Sequence, residues 1–151
     1  MALDFVLISD FVGIQRKSFE VADSTLLDPT STNPLVLGEW LELTSAYKMD
    51  RGTANGATVP SWVMFAEKGR FETQAAGKVP ILWLNDFEAD TKVMDSTGLA
   101  VGDLLMVNDV TYGSLTRRGL KEQGGGAFIV GRVTRLPASN NGYLRFITCK
   151  Q

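Results

Sequence analysis

The sequence predicts an all-β protein. Three observations carry that prediction. Helical periodicity is weak throughout, apolar runs of strand length recur at short spacing, and Gly, Pro, Asn, Asp and Ser punctuate them. The pattern is sharpest between Gly98 and Thr148. There Leu104–Val107, Ala127–Leu136 and Tyr143–Thr148 alternate with polar and glycine-bearing stretches.

Taken in order, Asp4–Ser9 contains the apolar run Phe5-Val-Leu-Ile8 and reads as a first strand, with Ser18–Val21 next. Ala22–Pro34 is rich in Asp, Ser, Thr and Pro and reads as a long connection, a length that in compact domains is often functional. Strands resume at Leu35–Leu37 and Glu39–Thr44. In the latter, Leu41 and Leu43 share a face with Glu39, and Trp40 lies opposite with Glu42. Ser61–Glu67 and Val79–Leu84 are apolar on both faces, as central strands are. Pro80 lacks an N–H, which places it at an edge or a strand beginning. Phe71–Thr73 and Thr91–Met94 complete the strand series. Turn signals stand at Asp50-Arg-Gly52, Asn55-Gly56, Lys68-Gly69, Gly77-Lys78, Asn108-Asp109 and Asn141-Gly142. Asn-Gly suits the positive φ angles of tight hairpins. Gly124-Gly-Gly126 reads as a mobile loop. The expected architecture is a compact β-barrel or sandwich-like core over 35–151. A strand or arm with its connector precedes it over 1–34.

A chain of 151 residues is long enough for one ordinary domain without staples. With 15 basic and 17 acidic residues the net charge is −2, whereas nucleic-acid binding needs a basic excess to displace counterions. The lone Cys149 forms no internal disulfide. No apolar run approaches the roughly 18 residues of a membrane span. The first residues lack the basic flank of a signal peptide. Synthesis in a reducing cytoplasm is therefore expected. There is no histidine, which removes Ser-His-Asp and Cys-His catalysis and the common zinc ligand sets.

The best candidate for metal or acid–base chemistry is Asp86-Phe-Glu-Ala-Asp90, with Asp95 nearby. A calcium loop starting at Asp86 needs Gly at its sixth position and Glu at its twelfth, and those hold Thr91 and Thr97. The ordinary reading is a solvated turn and a strand's outer face. Gly124-Gly-Gly126 lacks the Lys-Ser/Thr ending of a phosphate loop. Arg117, Arg118 and Lys121 form a basic knot, read as solubilising or as facing an acidic partner. Trp40, Trp62 and Trp83 sit among apolar neighbours and read as packing residues rather than a sugar platform. No catalytic residue, cofactor or metal is expected. The segment Phe5-Val-Leu-Ile8, continued by Phe11 and Val12, reads as a first core strand or as an arm. An arm of this kind adds a strand to a neighbour's sheet.

Taken together, Leu35-Val-Leu-Gly-Glu-Trp-Leu-Glu-Leu43, Phe65-Ala-Glu-Lys-Gly-Arg-Phe71, Phe87–Asp95, Val101-Gly-Asp-Leu-Leu-Met-Val107, Val130–Ala138 and Asn141-Gly-Tyr-Leu-Arg-Phe146 resemble the head decoration, or capsid cement, proteins of tailed bacteriophages. The resemblance spans about Leu35 to the end. It implies a non-enzymatic β-rich protein, a homotrimer, on the outer capsid surface of the virion. There it binds the major capsid protein and stabilises contacts between capsid subunits, without nucleic acid, membrane or cofactor. On this expectation Phe5, Leu7, Phe11 and Val12 contact the capsid, and Trp62 and Tyr112 contact neighbouring copies. The alternative is a carbohydrate-binding β-sandwich exposed on a virion. A third reading is an enzyme using Asp86, Glu88 or Asp90 with a divalent metal.

Overall fold

The structure is a computed structural model and describes residues 4–8, 15–52, 61–63, 77–83, 87–124 and 129–148. The chain is all-β, and an antiparallel sheet curls into a half-barrel. The strands are β1 (Phe5–Leu7), β2 (Gln15–Glu20), β3 (Trp40–Leu43), β4 (Met49–Arg51), β5 (Ser61–Val63), β6 (Lys78–Trp83), β7 (Glu88–Thr91), β8 (Leu104–Tyr112), β9 (Leu115–Glu122), β10 (Gly131–Arg135) and β11 (Leu144–Thr148). One sheet has six strands in the order β1-β7-β11-β10-β8-β9, a second is β4-β3-β5, and a third is β2-β6.

The six-stranded sheet grows from the β8–β9 hairpin, in which Tyr112 faces Leu115 across the two-residue turn Gly113-Ser114. Both turn residues have positive φ, 60° and 64°, which matches the right-handed twist of the strands. The sheet then turns back on itself. Beyond β7, the Asp95 N–H donates to Leu120 O (2.8 Å) and the Leu120 N–H donates to Val93 O (3.1 Å), so the chain after β7 reaches β9 at the far edge. Gly119 makes this approach possible: a Cβ there would lie 2.4 Å from Val93 O.

Strand periodicity sorts the side chains. Phe5 and Leu7 on β1, Ala89 and Thr91 on β7, Leu144 and Phe146 on β11 and Val133 on β10 are register partners facing inward. Val6, Glu88, Asp90, Arg132, Arg145 and Ile147 occupy the alternate, outward positions. Ile8 joins them, because its N–H donates to Glu88 O (2.8 Å) and continues the β1–β7 register. Phe5, Phe87 and Trp40 surround Phe146 at ring-centroid distances of 6.1–6.5 Å in tilted or edge-on geometry.

A second core lies under the other two sheets. Val21, Leu26, Leu35, Leu41, Met49, Val79 and Ile81 form it. A bridge between Val21 and Met49 joins the end of β2 to β4. Strands β3 and β6 serve both cores: Trp40 and Leu82 belong to the first, Leu41 and Ile81 to the second. This is why Val79–Leu84 reads as apolar on both faces.

The structure departs from the expected elements at several places. β1 is part of the main sheet, and Leu26 and Leu35 pack in one core, so packing is continuous across the expected boundary at 34. Ala22–Pro34 is an ordered connection. Asp23 caps a 3-10 turn over Ser24–Leu26, and Leu26 O accepts from the Leu35 N–H at 2.7 Å. Leu35 and Leu37 are buried without forming a strand. Asp50 and Arg51 lie in β4, and Asn108 and Asp109 inside β8, because pairing with β3 and β9 overrides local turn preference. The strand expected at Thr91–Met94 sits at Glu88–Thr91. β9 carries no apolar alternation in sequence, since Leu115 and Leu120 are its only large apolar residues and Arg117, Arg118, Lys121 and Glu122 make it read as a polar stretch. The expected strand Phe71–Thr73 and the turns Asn55-Gly56 and Lys68-Gly69 lie outside the described residues.

Candidate functional site

The densest polar arrangement is buried, and Glu39 is its centre. Glu39 directly precedes β3 and is 0% exposed. Its Oε2 accepts from Arg51 Nε at 2.8 Å, and its Oε1 accepts from an Arg117 guanidinium nitrogen at 3.1 Å. The Val36 N–H (3.1 Å) and the Arg118 N–H (3.4 Å) also donate to the carboxylate. Arg51 further donates to Asn33 O at 2.9 Å, and Arg117 to Pro34 O. The group thus ties together β4, β9, the start of β3 and the end of the connector. Removing ions from water costs several kcal/mol each, so only several good hydrogen bonds make such burial tolerable. Asn33 Oδ1, Trp40 Nε1 and Arg117 Nε are buried without a hydrogen-bond partner among the described residues. The carboxylate accepts from two guanidiniums and two amides, all of them parts of this chain's own framework. It is a fastener rather than a general base.

The acidic run is dispersed in the same manner. Asp90, 7% exposed, takes Arg145 as a two-pronged partner (Nε at 2.8 Å, the terminal nitrogen at 3.0 Å) and Asn140 Nδ2 at 2.9 Å. The hydrogen bond to Asp90 raises the Arg145 pKa. Glu88 accepts from Thr134 Oγ1 at 3.2 Å. Asp95 faces Lys121 at 3.9 Å, and the Thr97 hydroxyl and amide hold its carboxyl below the usual range. Glu88 and Asp90 do share the outer face of β7, whereas Asp86 lies outside the described residues. Among the described residues no group of three His, Cys, Asp or Glu is placed to hold a metal ion.

The basic knot is also taken apart. Arg117 is buried on Glu39, Arg118 pairs with Asp109 and donates to Gly52 O, and Lys121 reaches Asp95. Its three charges serve three different structural contacts rather than one surface patch.

The residues expected to make contacts separate into three groups. Phe5 is 1% exposed in the first core and Leu7 packs against that core, so the register of β1 turns both inward. Phe5 and Leu7, expected to contact the capsid, thus face the core of this chain, and Val6 and Ile8 are the outward residues of this segment. Phe11 and Val12 lie outside the described residues, and so does the side chain of Trp62, whose backbone pairs with Leu41. Tyr112 is half-buried, and its hydroxyl donates to Asp4 Oδ1, locking the start of β1 to the end of β8. Burial, assisted by that bond, pushes its pKa up to about 12.

The sequence did carry one signal for the Glu39 group. A carboxylate on the same strand face as Leu41 and Leu43 has to find cationic partners when that face is buried. Arg51 and Arg117 cannot be paired with it from spacing alone. Among the described residues, the large apolar side chains that face solvent are Tyr47 (77% exposed), Val101 (63%), Ile147 (41%), Ile8 (38%) and Ile129 (37%). Among the described residues no helix is long and apolar enough to cross a membrane. Comparison with protein-family models, curated proteins and solved structures gives no match to this chain.

Proposed function

We propose that this chain is a non-enzymatic viral structural protein that binds the outer surface of a phage capsid and stabilises contacts between major capsid subunits. The observation that carries the reading is the use of the most buried ionisable side chains. Glu39, Arg117 and Asp90 are all spent on holding strands together, while large apolar side chains at turns, Tyr47 and Val101, are left in solvent. That is the division of labour of a rigid contact module. The motifs from Leu35 onward that resemble capsid cement proteins supply the partner. A clamp of this kind binds the assembled lattice better than free subunits, and mass action then favours the shell. Many copies of modest affinity suffice.

Phe11 and Val12 are the remaining arm candidates for the capsid contact. Phe5 belongs to the core, so the arm is probed by substitution and not by deletion. The informative variant is the double substitution Phe11→Asp with Val12→Asp, assayed by co-sedimentation with undecorated shells. Loss of most of the bound protein supports the arm. Full occupancy rejects it, and failure of the unmodified protein to bind any shell rejects the function. The carbohydrate-binding alternative rests on the exposed ring of Tyr47. Glycan binding that disappears in Tyr47→Ala would establish it instead.

A further inference from the structure

The outer face of the six-stranded sheet carries a row whose chemistry reads the same from both ends. Register partners run across five adjacent strands: Ile8 beside Glu88, Glu88 beside Ile147, Ile147 beside Arg132, and Arg132 beside Leu104. In order, the row is apolar, acidic, apolar, basic, apolar. At about 4.8 Å per strand it spans roughly 19 Å. Ile8 and Ile147 are 38% and 41% exposed, so both offer apolar surface on this face. Both charged residues are anchored on this face. Glu88 accepts from Thr134 Oγ1, and Arg132 donates to Gly102 O at 2.6 Å.

We infer that this face pairs with the same face of a second copy of this chain, about a two-fold axis running along β11 through Ile147. That rotation reverses the row. Glu88 of one copy then meets Arg132 of the other, twice; Ile147 meets Ile147; and Ile8 meets Leu104. A two-fold interface must be self-complementary, and this row satisfies that condition at every position. In the next row outward, Val6, Asp90, Arg145 and Arg135, the complementary pair is Asp90 with Arg135. Asp90 is brought toward Arg135 of the other copy. The two Arg145 side chains meet near the axis, each already neutralised by its own Asp90 at 2.8 Å. A second copy is thus favoured over an unrelated partner by charge order. The inference depends on the sheet face alone and stands apart from capsid binding.

The test is the oligomeric state of the full chain by sedimentation equilibrium, from low micromolar into hundreds of micromolar. A monomer–dimer equilibrium is expected. Glu88→Arg alone and Arg132→Glu alone should each weaken the dimer by roughly tenfold or more, because like charges then face each other. An equimolar mixture of the two single variants should recover the dimer as a heterodimer, since each copy then offers what the other lacks. Ile147→Asp should leave a monomer whose circular dichroism and melting match the unmodified chain. A monomer throughout the concentration range overturns the inference. So does a trimer, the state implied by the family resemblance, or a mixture that fails to recover association. If a variant loses its fold, the unmodified chain's own equilibrium and the remaining variants decide the matter.

Discussion

Trp40 and Leu41 are consecutive on β3 and pack into different cores, Trp40 against Phe146 at 6.1 Å and Leu41 among Met49, Val79 and Ile81. One strand therefore carries the packing of both halves of the chain. Replacing Leu41 by Ala should cost about 2–5 kcal/mol and Trp40 by Ala about 3–5 kcal/mol. Urea unfolding followed by circular dichroism should show one transition moved to lower denaturant in both variants. Two separated transitions would mean that the cores unfold independently.

Glu39 compensates the buried guanidinium of Arg117 and the partly buried one of Arg51, so its loss should be worse than the loss of either. Glu39→Gln is expected to destabilise the chain by about 3–5 kcal/mol, because it strands Arg117 and Arg51 without a countercharge. Adding Arg117→Met to Glu39→Gln should return part of that stability. A double variant no more stable than Glu39→Gln would show that Arg117 draws little from the carboxylate.

Gly119 has no room for a side chain against Val93 O. Gly119→Ala should cost about 1–3 kcal/mol, as overpacking does. The damage should be local. Hydrogen exchange should accelerate at the Leu120 and Asp95 amides, which close the sheet, before it accelerates at Phe146.

Tyr112 sets an alkaline limit. Its folded pKa of about 12 lies above the ordinary tyrosine value of 10.0, so the neutral phenol is favoured in the fold. The contribution is complete below pH 10 and is lost as pH rises through about 12. Tyr112→Phe should remove that alkaline limb, cost about 1 kcal/mol at neutral pH through the lost hydrogen bond, and speed amide exchange in β1. A melting-temperature series from pH 8 to 12 in both proteins checks this.

At the acid end, Asp23 and Asp28 are each lowered by bonds from Thr25 and Thr30, with the backbone bond leading for Asp23 and the hydroxyl for Asp28. Carboxylates depressed in the fold stabilise it above their ordinary value of 3.8, and that stabilisation disappears as pH falls through the lower folded values. Proteolysis within Ala22–Pro34 should therefore increase below pH 4, and Asp23→Asn should show less of that increase.

Much of this architecture is readable from single-residue patterns, and the limit is informative. The two apolar faces of Val79–Leu84, the strand over Trp40–Leu43 and the turn at Asn141-Gly142, with φ of 55° and 84°, all follow from local chemistry. β9 does not. Arg117, Arg118 and Lys121 look like a surface charge run until Glu39 and Asp95 are brought to Arg117 and Lys121 from elsewhere in the chain and hairpin register sets Asp109 beside Arg118. The same holds for β1. The sequence shows an apolar strand, but only its register with β7 reveals that Phe5 and Leu7 turn inward while Val6 and Ile8 turn outward. Charge partners and register are long-range facts, and a strand slipped by one residue would exchange its two faces.

The position of β11 between β7 and β10 bears on how the chain is made. On the ribosome, β1 emerges early, yet the sheet it joins cannot be completed until Leu144–Thr148 has been synthesised and threaded into the middle. Until then Phe5, Phe87 and Trp40 lack Phe146, the ring they close around. Shortened chains that stop before β11 should thus be caught by chaperones and proteases, so that finished copies dominate the folded pool.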